Sequence, residues 1–156
     1  MPNRRTILLT GLATVLAASP LLADTDRIEA VVHRDPDCKC CSKWIRHLQS
    51  NGFSVTEHRT KNLTAVRAPY AVPDDLEGCH VAEIQGMVVE GHVPAEEIKV
   101  ALARRSADED IVGISVPGMP VGSPGMEGSD PEPYEVILFG KSGRTTLSRW
   151  LAGKRQ

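Results

Sequence analysis

Asp37-Cys38-Lys39-Cys40-Cys41-Ser42 decides how this chain is read. Three cysteines fall within four residues there. Upstream, Ile28–His33 is a short run rich in valine, closed by Asp35-Pro36-Asp37, and it reads as a buried first strand. Downstream, Cys41, Trp44, Ile45 and Leu48 recur at helical spacing until Asn51-Gly52 stops the run. The cysteines therefore mark a strand-to-helix junction, with Cys38 at the N-cap and Cys41 in the first turn. Free N–H groups and the helix dipole favour thiolates at such a place, and Lys39 adds positive charge.

Working outward, Phe53–Glu57 alternates like a half-buried strand, and Leu63–Tyr70 suits a short helix ended by Pro69 and Pro73. Val81–Ile84 and Met87–Glu90 flank Gln85-Gly86 as a hairpin. Pro94 suits the first position of a helix, with Glu96 and Glu97 at its positive end, Arg104 and Arg105 at its negative end, and Ile98, Ala101 and Leu102 as its buried stripe. Ile111–Val116 reads as a strand. The run 117–126 holds three prolines, three glycines and two methionines, and no charge, so it must be a loop. Tyr134–Phe139 and Arg144–Trp150 read as strands around Lys141-Ser142-Gly143. This order predicts a thioredoxin-like α/β fold: a central mixed sheet with flanking helices, to which a Met/Pro/Gly-rich loop and a C-terminal hairpin are added. Cys38 and Cys41 hold the Cys-x-x-Cys positions. Cys79 and His80, just before the third strand, should face them, although the proline usual before that strand is missing. All four thiols would then meet at one end of the sheet, where open α/β sheets place their sites.

The first 23 residues read as a secretory signal peptide: Arg4 and Arg5, an apolar run from Ile7 to Ala18, then Ser19, Pro20 and Ala23 before the cut. Residues 24–156 then form a single domain. The leader carries two arginines and no acid, so its removal takes the formal charge from −2 to −4, which argues against nucleic acid as a partner. After cleavage no segment is apolar enough to hold the chain in a membrane.

Export puts four cysteines in an oxidising compartment, where two static disulfides are the plainest alternative. The tight triplet argues the other way, because the adjacent Cys40 and Cys41 do not readily close on each other. Nor do neighbours easily take two corners of one zinc tetrahedron. Thiolates bridging several Cu(I) ions are less restricted, and copper also accepts thioether sulfur. Met119 and Met126 sit in the uncharged loop, whereas Met87 belongs to a strand and the core. His80 beside Cys79 is the leading histidine ligand. His92, in a Gly-flanked link, is second and competes with a capping role. His33, His47 and His58 read as surface. The metal set is thus Cys38, Cys40, Cys41, Cys79, Met119, Met126, His80 and His92. Glu96-Glu97 reads as helix-dipole complementation, and no Ser-His-Asp order stands out.

Four motifs occur in order: Cys-x-Cys-Cys followed by a Trp in the helix, Cys79-His80, Glu90-Gly91-His92-Val93-Pro94, and the Pro-Gly-Met-Pro-x-Gly-Ser-Pro-Gly-Met-Glu run at 117–127. Together they resemble the CopG-type copper-resistance proteins, a family long described only as a domain of unknown function. The resemblance spans Ile28 to Phe139. It implies a thioredoxin-like fold, a periplasmic location, a cysteine-bridged multinuclear copper site and a role in changing copper's oxidation state. Cys38, Cys40, Cys41 and Cys79 stand at the family's cysteine positions; Lys39 replaces its usual small residue. The expected partners are copper ions and other periplasmic copper-handling proteins. A thiol–disulfide oxidoreductase cycling Cys38 and Cys41, with Cys38 attacking, is the alternative, and the sequence leaves open whether the chain is an enzyme.

Overall fold

The computed structural model describes residues 27–156, so the expected leader lies outside the described residues. The elements run β1 (Ile28–Arg34), α1 (Lys39–Ser50), β2 (Phe53–Arg59), α2 (Leu63–Arg67), two 3-10 turns (Ala68–Tyr70 and Asp74–Leu76), β3 (His80–Ile84), β4 (Met87–Gly91), α3 (Ala95–Arg105), β5 (Ile111–Val116), β6 (Tyr134–Gly140), β7 (Gly143–Leu151) and β8 (Lys154–Arg155). The strands form one mixed sheet in the order β2-β1-β3-β4-β5-β6-β7-β8. β1 and β2 are parallel and joined by α1; β4 and β5 are parallel and joined by α3; the other neighbours are antiparallel. The terminal hairpin lengthens the main sheet, because β6 pairs with β5.

Alternation along the central strands sorts their side chains into two cores. Ala82, Ile84 and Val89 point to the face covered by α1 and α3, where Trp44, Leu48, Ile98 and Ala101 meet them. Val81 and Val88 point to the other face, where Leu76 and Phe139 are buried and Leu63, Val66 and Tyr70 pack against them. Burying a side chain such as Leu48 contributes about 1.5–3 kcal/mol. Trp44 adds direction, since its Nε1 donates to the Val93 carbonyl at 2.8 Å and ties α1 to the link before α3.

The α3 region departs from the sequence reading in four places. Pro94 is the N-cap, so the helix starts at Ala95, and Leu102 is only half-buried. Glu97 does more than complement the dipole: it is 1% exposed, accepts from Trp150 Nε1 at 3.1 Å and pairs with Arg155 at 3.3 Å. The first free N–H of α3 is taken by a side chain from α1, because His47 Nε2 accepts from the Ala95 N–H at 3.0 Å. His47 is thus a half-buried cap, not a solvent-facing residue, and burial holds its pKa below the ordinary histidine value. His58 is exposed, as expected. Among the described residues no helix is long and apolar enough to cross a membrane.

Candidate metal centre

Topology gathers the cysteines. The C-terminal ends of β1 and β4 and the N-terminal end of the antiparallel β3 lie side by side. Cys38 follows β1, Cys79 precedes β3, and His92 follows β4. The loop leaving the C-terminal end of β5 closes over the same edge.

Two arginines shape the backbone that presents the thiols. Arg34, 4% exposed at the end of β1, donates through Nη1 to the carbonyls of Asp35, Pro36 and Cys38 at 3.0, 3.2 and 3.1 Å and pairs with Glu57 at 2.8 Å. It therefore folds the segment before α1 around its own guanidinium. Arg67, on α2, donates to both oxygens of the fully buried Glu90 at 2.9 and 3.0 Å, to Glu77 at 2.9 Å and to the Gly78 carbonyl at 2.6 Å. The Gly78 N–H donates back to Glu90 at 2.9 Å. Burial raises the Glu90 pKa, and the Arg67 and Gly78 bonds pull it back down. Gly78 lies against Gly91: a Cβ on Gly78 would come within 2.5 Å of the Gly91 backbone. Only a glycine at 78 allows this approach, and the contact brings Cys79 beside His92.

The four sulfurs converge. All lie within 4.8 Å of one another. Cys38 is the N-cap, its sulfur 3.3 Å from the Cys41 N–H that it accepts from. Cys38 and Cys41 form a disulfide across a Cα separation of 5.5 Å, and Cys40 and Cys79 are free thiols. The sequence reading favoured ligation because adjacent cysteines resist pairing. One turn of helix relieves that restriction for residues three apart, so the i, i+3 pair closes and Cys40 is left over. Cys40 Sγ lies 3.4 Å from Cys38 Sγ and 3.9 Å from Cys79 Sγ; Cys79 Sγ lies 3.5 Å from Cys41 Sγ. Burial, then the neighbouring Cys40, pushes the Cys79 thiol up to about 12.

Both favoured histidines are fully buried beside Cys79, at 3.3 Å for His80 Nδ1 and 3.4 Å for His92 Nε2. Burial lowers both pKa values, which leaves the rings neutral; in His80 the adjacent His92 adds to the effect. His92 Nδ1 donates to the Pro124 carbonyl at 2.7 Å, so its Nε2 lone pair faces Cys79. The capping role considered for His92 is filled by His47. His80 packs between Trp44 and His92, and its Nε2 has no hydrogen-bond partner among the described residues. Cys79, His80 and His92 thus form a second ligand group that shares Cys79 with the thiols. His33 does not join them; its Nε2 lies 3.1 Å from Glu83 and its ring stacks on His58.

The methionine loop is tied down by its own backbone. Gly122 donates to the Met126 carbonyl at 2.8 Å, Met126 to Ser123 at 2.9 Å, and the buried Ser123 hydroxyl to Pro120 at 2.7 Å. At Gly125, with φ +87°, a Cβ would sit 2.9 Å from the Trp44 nitrogen and 3.0 Å from the Cys40 carbonyl, so the loop rests directly on the first turn of α1. Met126 lines a groove with Cys40, Lys39 and Lys43. Met119 is 42% exposed at a left-handed turn position. Met87 is in the core.

Sequence reasoning missed Arg34, Arg67 and Glu90 as supports of the site. The only trace was local: an arginine in the apolar α2 run and an acid ending an otherwise apolar β4.

A family described as "Protein of unknown function, DUF411" matches residues 76–126, the stretch holding Cys79, both histidines and the methionine loop. No curated protein matches the chain. Two solved structures, described as form 2 and form 1 of the copper resistance protein CopG, are 43% and 42% identical to it. Each alignment covers 80% of this chain and 98% of the other, with TM-scores of 0.71 and 0.70.

Proposed function

The chain belongs to the CopG copper-resistance family, and from that membership we propose that it is a periplasmic protein that holds Cu(I) in its sulfur pocket, several ions to a chain when all four thiols are reduced. The observation that carries this reading is the convergence of four sulfurs and two neutral imidazoles around Cys79. Cys79 belongs to both ligand groups, so it is the thiolate that ions held by the two groups would share. Soft sulfur selects Cu(I), and a set of thiols and imidazoles with no carboxylate in it gives hard cations little to bind.

The polypeptide's part is positional. Arg34 and Arg67 fix the two loops, the Pro124 carbonyl fixes the His92 tautomer, and the Met126 thioether waits at the groove. The Cys79 proton must leave when an ion binds, so loading releases protons. The strand order β2-β1-β3-β4, with a helix starting on Cys-x-x-Cys, supports a thioredoxin-like core. The charged, apolar and small residues before Asp24 support export and cleavage. Thiols and copper sharing one pocket support electron exchange between Cu(I) and Cu(II).

Metal analysis of anaerobically reduced, copper-loaded protein tests the reading. More than one copper per chain, with all four thiols masked from a thiol reagent, is the expected result. Less than one copper, with four thiols reactive, overturns it.

The Cys38–Cys41 bridge favours a second reading, a thiol–disulfide oxidoreductase. Turnover of a disulfide substrate that is lost in Cys38→Ser and unaffected by copper chelation would establish it.

A further inference from the structure

The four sulfurs are not equivalent in the bridged protein. The thiolate is the metal-binding form of cysteine, and Cys38 and Cys41 cannot supply it while joined. Cys40 and Cys79 can. Their sulfurs face each other at 3.9 Å. They also look in different directions. Cys40 lines a groove of about 430 Å³ with Lys39, Lys43, Val121 and Met126, so it meets the outside. Cys79 lies further in, with the His92 Nε2 lone pair 3.4 Å from its sulfur. Cu(I) accepts two soft ligands, and this pair offers them without opening the bridge.

We propose that Cys40 and Cys79 form a one-ion Cu(I) site that works while Cys38 and Cys41 are joined, entered from the groove at Cys40 and backed by His92. The proposal rests on the copper-binding reading above and narrows it. The disulfide then sets how many ions the pocket holds, not whether it holds any. Opening the bridge takes two electrons and two protons and returns two thiols; a dithiol supplies them and closes into its own disulfide. The added thiolates bring the pocket to its full capacity. Met126, beside Cys40, is placed to hold an arriving ion before Cys79 takes it.

The test titrates Cu(I) anaerobically, against a chromogenic chelator, into two preparations of the full chain. One is prereduced with a dithiol and desalted, with four reactive thiols. The other is mildly oxidised, with two reactive thiols and the bridge mapped by mass spectrometry. The expected result is one Cu(I) in the oxidised protein, lost in Cys40→Ser, and several in the reduced protein. A Cys38→Ser/Cys41→Ser double variant, checked for folding by circular dichroism, should also bind one ion. Copper in the reduced protein but none in the oxidised protein or the double variant overturns this inference and leaves the copper reading standing. Equal copper in both states overturns it too, as does a map that joins Cys40 to Cys79. No copper in either state removes the copper reading along with the inference.

Discussion

Two buried polar clusters lie one residue apart in this protein, and they are built to opposite rules. Around Glu90, Arg67 uses four of its five N–H donors on Glu90, Glu77 and the Gly78 carbonyl, and Gly78 returns a bond. Around Cys79, the contacts are long sulfur approaches of 3.3–3.9 Å, and His80 keeps a buried nitrogen without a partner. Buried polar atoms are normally satisfied. A satisfied cluster holds the chain; an unsatisfied one beside it has capacity left for a ligand. Gly78 to Cys79 is where the first kind of cluster hands over to the second.

Breaking the satisfied side has the largest effect. Arg67→Ala removes the cation that pairs with the buried Glu90, leaving it only the Gly78 N–H, and should cost about 3–5 kcal/mol of stability, read from the urea midpoint. A loss under 1 kcal/mol would mean the network is decoration. The unsatisfied side should respond the other way. Cys79→Ser should change stability by only about 1 kcal/mol, yet weaken copper binding by more than the 10–100-fold typical of losing an outer partner. A competition titration measures it, and an unchanged affinity would take Cys79 out of the centre.

Acidity separates the two sides further. The Cys79 thiol, pushed up to about 12, keeps its proton at neutral pH in the metal-free protein. Loading that sulfur displaces this one proton, which by itself should raise apparent copper affinity about tenfold per pH unit between pH 6 and 8. A flat profile would contradict a buried thiol donor.

The smallest effect concerns Tyr70, which follows Arg67 and helps hold the same segment. Its hydroxyl donates to Glu83 at 2.7 Å, and burial, then that bond and the carboxylate's charge, raise its pKa to about 12. The folded value lies above the unfolded one near 10, so the stabilisation is complete below pH 10 and lost as pH rises toward 12. Glu83 is 39% exposed, which limits the loss to about 1 kcal/mol. Tyr70→Phe should remove this alkaline arm, as followed by thermal melts at pH 9 and 11.

The sequence was informative wherever the signal was local. The valine run, the Trp44-Ile45-Leu48 stripe and the Gln85-Gly86 turn announced β1, α1 and the β3–β4 hairpin, because side-chain period and turn chemistry act over a few residues. The cysteine triplet announced a sulfur site, and strand order placed Cys79 opposite it. Long-range polar pairs left no such mark. Arg67 and Glu90 are 23 residues apart, and His47 caps a helix 48 residues away. Neither spacing has a periodicity to read. The Cys38–Cys41 bridge is legible only as one alternative, because adjacency at Cys40-Cys41 argues against pairing and it takes the helical turn to free the outer pair.

X-ray absorption at the copper edge, on anaerobically reduced and copper-loaded protein, tests the central claim most directly. A sulfur-dominated shell with copper–copper scattering, diminished in Cys79→Ser, is the predicted result. A shell of nitrogen and oxygen alone, unchanged by that substitution, would contradict it.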